Sequence, residues 1–179
     1  MKVYLIRHAK TTDSLEGLHQ RDDSPIIPDL IEETDFSDLK PEKVYSSPML
    51  RARQTAEILF DTFEIVDFIY EATAPKLLYG KPKEFGRKFW EKHLPEFSED
   101  SDWEFDGSES FNEVRKRAEK FKKYLEDQPF GSVAVVGHGT FFRHFIGVNI
   151  FGKDFSYPKY KEWLWPMEWE NLEMKEIKL

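Results

Sequence analysis

The chain has 179 residues, 40% of them hydrophobic, which suits one compact domain over 1–179 with a sizeable core and excludes a disordered tail. Its net charge of −8 gives no basic balance for a nucleic acid, so any anionic ligand must be met by a local cluster of positive charge. There is no cysteine, hence no disulfide, no thiol nucleophile and no thiolate zinc site.

The first segment, Lys2 to Arg7, reads as a strand because Val3, Leu5 and Ile6 flank Tyr4 in a short apolar run. It leads into charge and lacks the length and small-residue cleavage site of a signal peptide. The apolar runs of the chain are also far too short to cross a bilayer, so the expected location is the cytoplasm, with no membrane partner. Lys43 to Ser46 reads as a second strand. Ser47-Pro48 then reads as a helix start, Ser as N-cap and Pro at the first helical position. Ala52, Ala56, Leu59 and Phe63 follow at spacings of three and four and give that helix one buried face. Ile65 to Tyr70 is a third strand candidate.

Residues 80–106 carry Phe85, Phe89, Trp90, Phe97, Trp103 and Phe105 among Lys and Glu. They read either as a lid over a pocket or as a helical excursion packing its aromatics on the body. Ser110-Phe-Asn-Glu113 has the form of a capping box, and Phe111, Val114, Ala118, Phe121 and Leu125 continue it as an amphipathic helix that Pro129 and Gly131 end. Ser132 to Val136 is a continuous apolar run of the kind buried in a parallel sheet. Gly137-His138-Gly139-Thr140 follows at once, then a helix from Phe141 to Ile150. Leu164 to Leu179 alternates enough for one or two antiparallel edge strands. Strands alternating with helices predict an α/β domain, three layers with a mostly parallel central sheet.

In such sheets ligands bind beyond the carboxyl ends of strands. Arg7-His8 and His138 stand at those ends of the two most apolar strands. Alone, His8 reads as an ordinary hydrogen-bonded residue and Arg51 as a solvated one. The glycines around His138 allow close backbone approach and unusual dihedrals, and the turn opens onto a helix N-terminus that offers free N–H groups to an anion. Two Arg and two His converging at strand ends make a cationic pocket with little reason to exist in an acidic chain unless an anion fills it. Arg matches phosphate oxygens bidentately, and a neutral His is a nucleophile near pH 7.

The segment Leu5-Ile6-Arg7-His8-Ala9-Lys10-Thr11 resembles the Arg-His-Gly motif of the histidine phosphatase superfamily, the phosphoglycerate-mutase-like enzymes, with Ala9 in place of the usual Gly. Gln20 to Pro25 resembles the loop after that motif. Tyr45 to Ala56 is similar to the family's second strand and helix, with Arg51 at the phosphate-binding Arg. Gly107-Ser108-Glu109-Ser110-Phe111 resembles its Gly-Gly-Glu-Ser loop, and Val135 to Gly139 its second-histidine motif. The ordered set spans about residues 1 to 150.

The resemblance implies two-step phosphoryl transfer through a phosphohistidine. His8 would attack phosphorus through Nε2 while a backbone carbonyl holds Nδ1–H. Arg7, Arg51 and a protonated His138 would surround the oxygens. No cofactor or metal is called for, because the guanidinium groups supply the positive charge. A carboxylic acid would protonate the leaving oxygen and then activate water. The pattern Tyr70-Glu71-Ala72-Thr73-Ala74-Pro75 points to Glu71 for that role. Glu84 before Phe85-Gly86 is the alternative, since the mutase branch places its acid before a Phe-Gly pair. Glu109 reads as ordering its loop. Thr11, Arg21 and Thr140 are expected substrate contacts.

The implied activity is hydrolysis of a small phosphorylated metabolite. A mutase usually has a longer chain, with insertions that close over the substrate and exclude water. Cofactor-dependent phosphoglycerate mutase and a non-catalytic phospholigand-binding module remain as alternatives. A metal-dependent hydrolase is weaker, since His8 and His138 belong to no short-range ligand pair.

Overall fold

In the computed structural model, which describes residues 1–31, 36–99 and 101–179, the chain runs through β1 (Lys2–Arg7), α1 (Thr12–Leu15), β2 (Lys43–Ser46), α2 (Leu50–Leu59), β3 (Glu64–Ile65), α3 (Lys83–Glu99), α4 (Phe111–Glu126), β4 (Ser132–Gly137), α5 (Gly139–Phe151), α6 (Tyr157–Lys159) and β5 (Met174–Lys178). The strands hydrogen-bond in the order β3-β2-β4-β1-β5. All pairs are parallel except β1 with β5. The C-terminal segment thus supplies one antiparallel edge strand.

Side chains alternate across the sheet, as the pleat requires. Val3, Leu5, Val133 and Val135 join the core built with Phe111, Phe121, Phe141 and Phe145 of α4 and α5. Val136 packs with Ala52 and Ala56 of α2 on the opposite face. Helices therefore cover both faces, and the expected mostly parallel α/β architecture is present. The α4 capping box forms in both directions: Ser110 Oγ accepts from Glu113 N, and the Glu113 carboxylate accepts from Ser110 N. All five apolar positions expected to face inward are buried, each large one stabilising the fold by about 1.5–3 kcal/mol. Among the described residues no helix is long and apolar enough to cross a membrane.

Three local expectations are corrected. Ser47 does not cap α2: the N-cap is Met49, without a side-chain bond, and the helix ends at Leu59, so Phe63 lies beyond it. The third strand shrinks to Glu64–Ile65, because a turn bonds Ile69 N to Val66 O at 3.3 Å and sends both Val66 and Ile69 into the core. Neither Gly137 nor Gly139 has a positive φ. At Gly137 the reason for glycine is space, since a Cβ would meet the Phe142 ring at 2.7 Å.

Within 80–106, α3 forms the helical part, and its aromatics pack largely on each other. Phe89 lies 5.3 Å from both Trp90 and Phe105, and Trp103 stacks on Phe105 at 5.9 Å. Phe85 is exposed, and the side chain of Phe97 lies outside the described residues.

Candidate active site

Because β1 and β4 are neighbours, Arg7 pairs with Gly137 and the next residues, His8 and His138, leave the sheet side by side. Their rings lie 5.2 Å apart. His8 N donates to Gly137 O at 2.9 Å, and Ser47 N donates to Val136 O at 3.0 Å. The carboxyl ends of β1, β2 and β4 thus deliver His8, Ser47 and His138 in a row.

His8 Nδ1 stands 2.7 Å from the carbonyl of Ala9. A carbonyl only accepts, so Nδ1 carries the hydrogen of the neutral ring and Nε2 carries the lone pair. His138 Nε2 lies 2.7 Å from Ser47 Oγ, which also accepts from Met49 N at 3.3 Å. Burial first, then the Arg51 charge, holds both imidazoles well below the usual histidine range. At both positions burial and the neighbouring charge favour the neutral ring.

Arg7 donates through Nη1 to the Trp169 carbonyl. Arg51 makes long bonds to the Arg21 and Asp22 carbonyls at 3.3 and 3.4 Å and to Met49 Sδ at 3.3 Å. Arg7 Nε, Arg51 Nε and His138 Nδ1 are buried with no partner. Each of these nitrogens lacks the partner that buried polar groups otherwise find.

A cavity of about 310 Å³ is lined by Arg7, Arg51, Glu71, Gln20, Tyr79 and Thr140, among others. His8 and His138 are 2% and 0% exposed and contribute nothing to its wall. Glu71 sits at the N-terminus of α5. Its Oε1 accepts from Ala72 N at 2.9 Å and Phe141 N at 3.0 Å, and its Oε2 accepts from Thr140 N at 3.2 Å. The helix N–H groups expected to meet an external anion are therefore taken up by the protein's own Glu71 side chain.

The other expected residues separate. Thr140 lines the cavity. Thr11 does not: fully buried, its hydroxyl caps α1, accepting from Ser14 N at 3.2 Å and Gln20 Nε2 at 2.9 Å. The Arg21 guanidinium is bound to Asp13 at 2.7 Å outside the wall, and only its carbonyl touches the site, through Arg51. Glu84 is exposed and paired with Arg87 at 2.7 Å; its neighbour Lys83, and not Glu84, lines the cavity. Glu109 orders its loop, accepting from Arg117 twice at 2.6 Å and from Thr73 N at 3.0 Å.

No sequence motif marks the segment that closes the site from the C-terminal side. Asn171 Nδ2 donates to His8 O at 2.8 Å, and Leu172 N donates to Arg7 O at 3.0 Å with Leu172 at φ 63°. Ser47 is visible in the sequence only as a helix-start residue.

The sequence profile of the histidine phosphatase superfamily (branch 1) matches residues 3–159. No curated protein matches this sequence significantly. Among solved structures, the α-ribazole phosphatase of Shigella flexneri is 19% identical, with a TM-score of 0.77 over 100% of this chain and 91% of that one. A structure described as mycobacterial hydrolase 1 is 16% identical, with a TM-score of 0.77 over 98% of this chain and 90% of that one. The phosphoglycerate mutase of Thermus thermophilus is 24% identical, with a TM-score of 0.63 over 87% of this chain and 86% of that one. At these identities the likeness to the solved structures is one of fold.

Proposed function

The chain belongs to the histidine phosphatase superfamily, and from that premise we propose that it is a phosphomonoester phosphatase working through a phosphohistidine on His8. The observation that carries the reading is the set of unpaired nitrogens, Arg7 Nε, Arg51 Nε and His138 Nδ1, around a His8 whose tautomer the Ala9 carbonyl fixes.

In the proposed reaction the phosphoryl group lies between the two guanidinium groups, which neutralise its oxygens and are in place before the chemistry starts. His8 Nε2 attacks phosphorus, the ester P–O bond breaks, and the leaving oxygen takes a proton from the Glu71 carboxyl. Glu71 then takes a proton from water as the water oxygen attacks phosphorus. The P–N bond breaks, His8 recovers its lone pair and inorganic phosphate departs. Oε2, which accepts a single bond from the backbone, is the Glu71 oxygen with the freer face. With the Ser47 hydroxyl donating to His138 Nε2, the hydrogen of the His138 ring sits on Nδ1, the nitrogen without a partner in the protein. The positive charge comes from side chains, so turnover in the presence of a chelator is expected.

The solved relatives include a phosphatase and a mutase. Hydrolysis is favoured by the position of Glu84, the mutase-like acid, in an exposed ion pair with Arg87. The test is hydrolysis of 4-nitrophenyl phosphate in EDTA, with isomerisation of 3-phosphoglycerate assayed in parallel. We expect phosphate release by the wild type and none by His8→Ala. Full activity in that variant overturns the mechanism. Isomerisation without net hydrolysis would make the protein a mutase, and tight phosphate binding with no turnover would make it a binding module.

A further inference from the structure

A second cavity, of about 200 Å³, adjoins the first. Ala72, Thr73, Ala74 and Thr140 belong to both walls. The two cavities therefore abut along the stretch that follows Glu71.

The chamber is walled by the aromatic rings of Phe111, Tyr160 and Trp165 and by the imidazole of His144. The His144 ring is 4.5 Å from that of Tyr160 and 5.0 Å from that of Phe111. The charged residue in the wall, Glu109, is consumed by Arg117, so the space suits an uncharged, apolar group. Its volume suits one flat ring system, since about 150 Å³ of apolar cavity admits a benzene ring.

His144 adds a polar requirement. Its Nδ1 lies 2.9 Å from the Thr140 carbonyl, which puts the hydrogen on Nδ1. Burial pushes the imidazole down to about 4, so the ring is neutral and Nε2 is an acceptor. That nitrogen is buried with no partner, an unfavourable condition that an arriving donor relieves.

We propose that this chamber holds the leaving group of the substrate, and that the substrate class is the phosphate monoester of a flat, apolar ring system carrying an N–H or O–H donor for His144 Nε2. The inference rests on the phosphatase reading.

The test compares 3-indolyl phosphate, 1-naphthyl phosphate and glycerol 1-phosphate. The first two are bicycles of similar size, and only the indolyl ester carries a ring N–H. Trp165 is 57% exposed, so Trp165→Ala removes one wall of the chamber with little effect on folding. It should lower kcat/KM for both bicycles about tenfold relative to glycerol 1-phosphate, the scale of one aromatic contact. His144→Phe keeps the volume and removes the acceptor. It should lower the indolyl-to-naphthyl ratio of kcat/KM about tenfold, the scale of one hydrogen bond. Intrinsic differences between the leaving groups cancel in these ratios. Ratios that stay at the wild-type value in Trp165→Ala overturn the chamber assignment while leaving the phosphatase reading in place. An unchanged indolyl-to-naphthyl ratio in an active His144→Phe enzyme overturns the donor requirement. Should the wild type hydrolyse none of the three, the phosphatase reading falls. The chamber is then judged by calorimetric binding of the same esters, with tighter binding of the indolyl ester expected and equal affinities overturning it.

Discussion

At the scale of single residues, the identity of the acid turns on where two carboxylates go. Glu71 lines the cavity beside Arg7 and Arg51 and is held by three backbone N–H groups, which fix its carboxylate relative to those arginines. Glu84 is an exposed carboxylate paired with Arg87. Sequence spacing alone leaves both open, because each stands in a short motif and neither motif says which way a side chain faces. Glu71→Gln keeps the shape of the side chain but can neither donate a proton to a leaving oxygen nor take one from water. We expect kcat to fall by roughly 10²–10⁴, the usual worth of general acid–base help, and Glu84→Gln to leave it unchanged. The pair is checked by steady-state kinetics on one aryl phosphate, and a Glu71→Gln enzyme of full activity would remove Glu71 from the mechanism. Ser47 is hidden from the sequence in the same way. A serine before a proline is a common helix start, yet this one faces His138, because β2 and β4 are sheet neighbours.

At the scale of elements, what is legible follows from local chemistry. The apolar runs of β1 and β4 and the inward face of α4 are patterns that one element must satisfy by itself, and each forms where the residues indicate. The α4 capping box is the clearest case, since both of its bonds lie within four residues. Removing it with Ser110→Ala leaves the Glu113 N–H without its side-chain partner and should cost about 1 kcal/mol of stability. The measurement is the midpoint of urea unfolding, and an unmoved midpoint would mean that other groups satisfy the helix end. The features that escape are those whose partner is distant in the chain. The carbonyl that holds Arg7 belongs to Trp169, and the amide that holds the His8 carbonyl belongs to Asn171, at sequence separations of 162 and 163. Nothing within a window around either residue encodes that meeting. The third strand escapes for another reason. Its apolar residues fit strand spacing, whereas a turn brings Val66 and Ile69 inward together.

At the scale of the whole molecule, the same burial that readies the site makes the fold sensitive to acid. His8, His138 and His144 are all buried, and burial holds each below the usual histidine range, His144 at about 4. In the unfolded chain each returns to about 6.5. The folded state therefore binds fewer protons than the unfolded state between those values, and stability rises with pH across that window. The contribution is fully present above the unfolded value and is lost as pH falls from about 6.5 toward 4. For one such histidine the loss by pH 5 is roughly 2 kcal/mol. Two of the three stand beside Arg51, whose charge adds to the effect of burial. An anion between the arginines would oppose that repulsion and, by binding the folded state alone, would stabilise it further. We therefore expect the free energy of urea unfolding to fall between pH 7 and pH 5, by about 2 kcal/mol from His144 alone, and inorganic phosphate to recover part of that fall. Equal stabilities at the two pH values would mean that the histidines are not held neutral in the fold, and would remove the basis for treating His8 as a ready nucleophile.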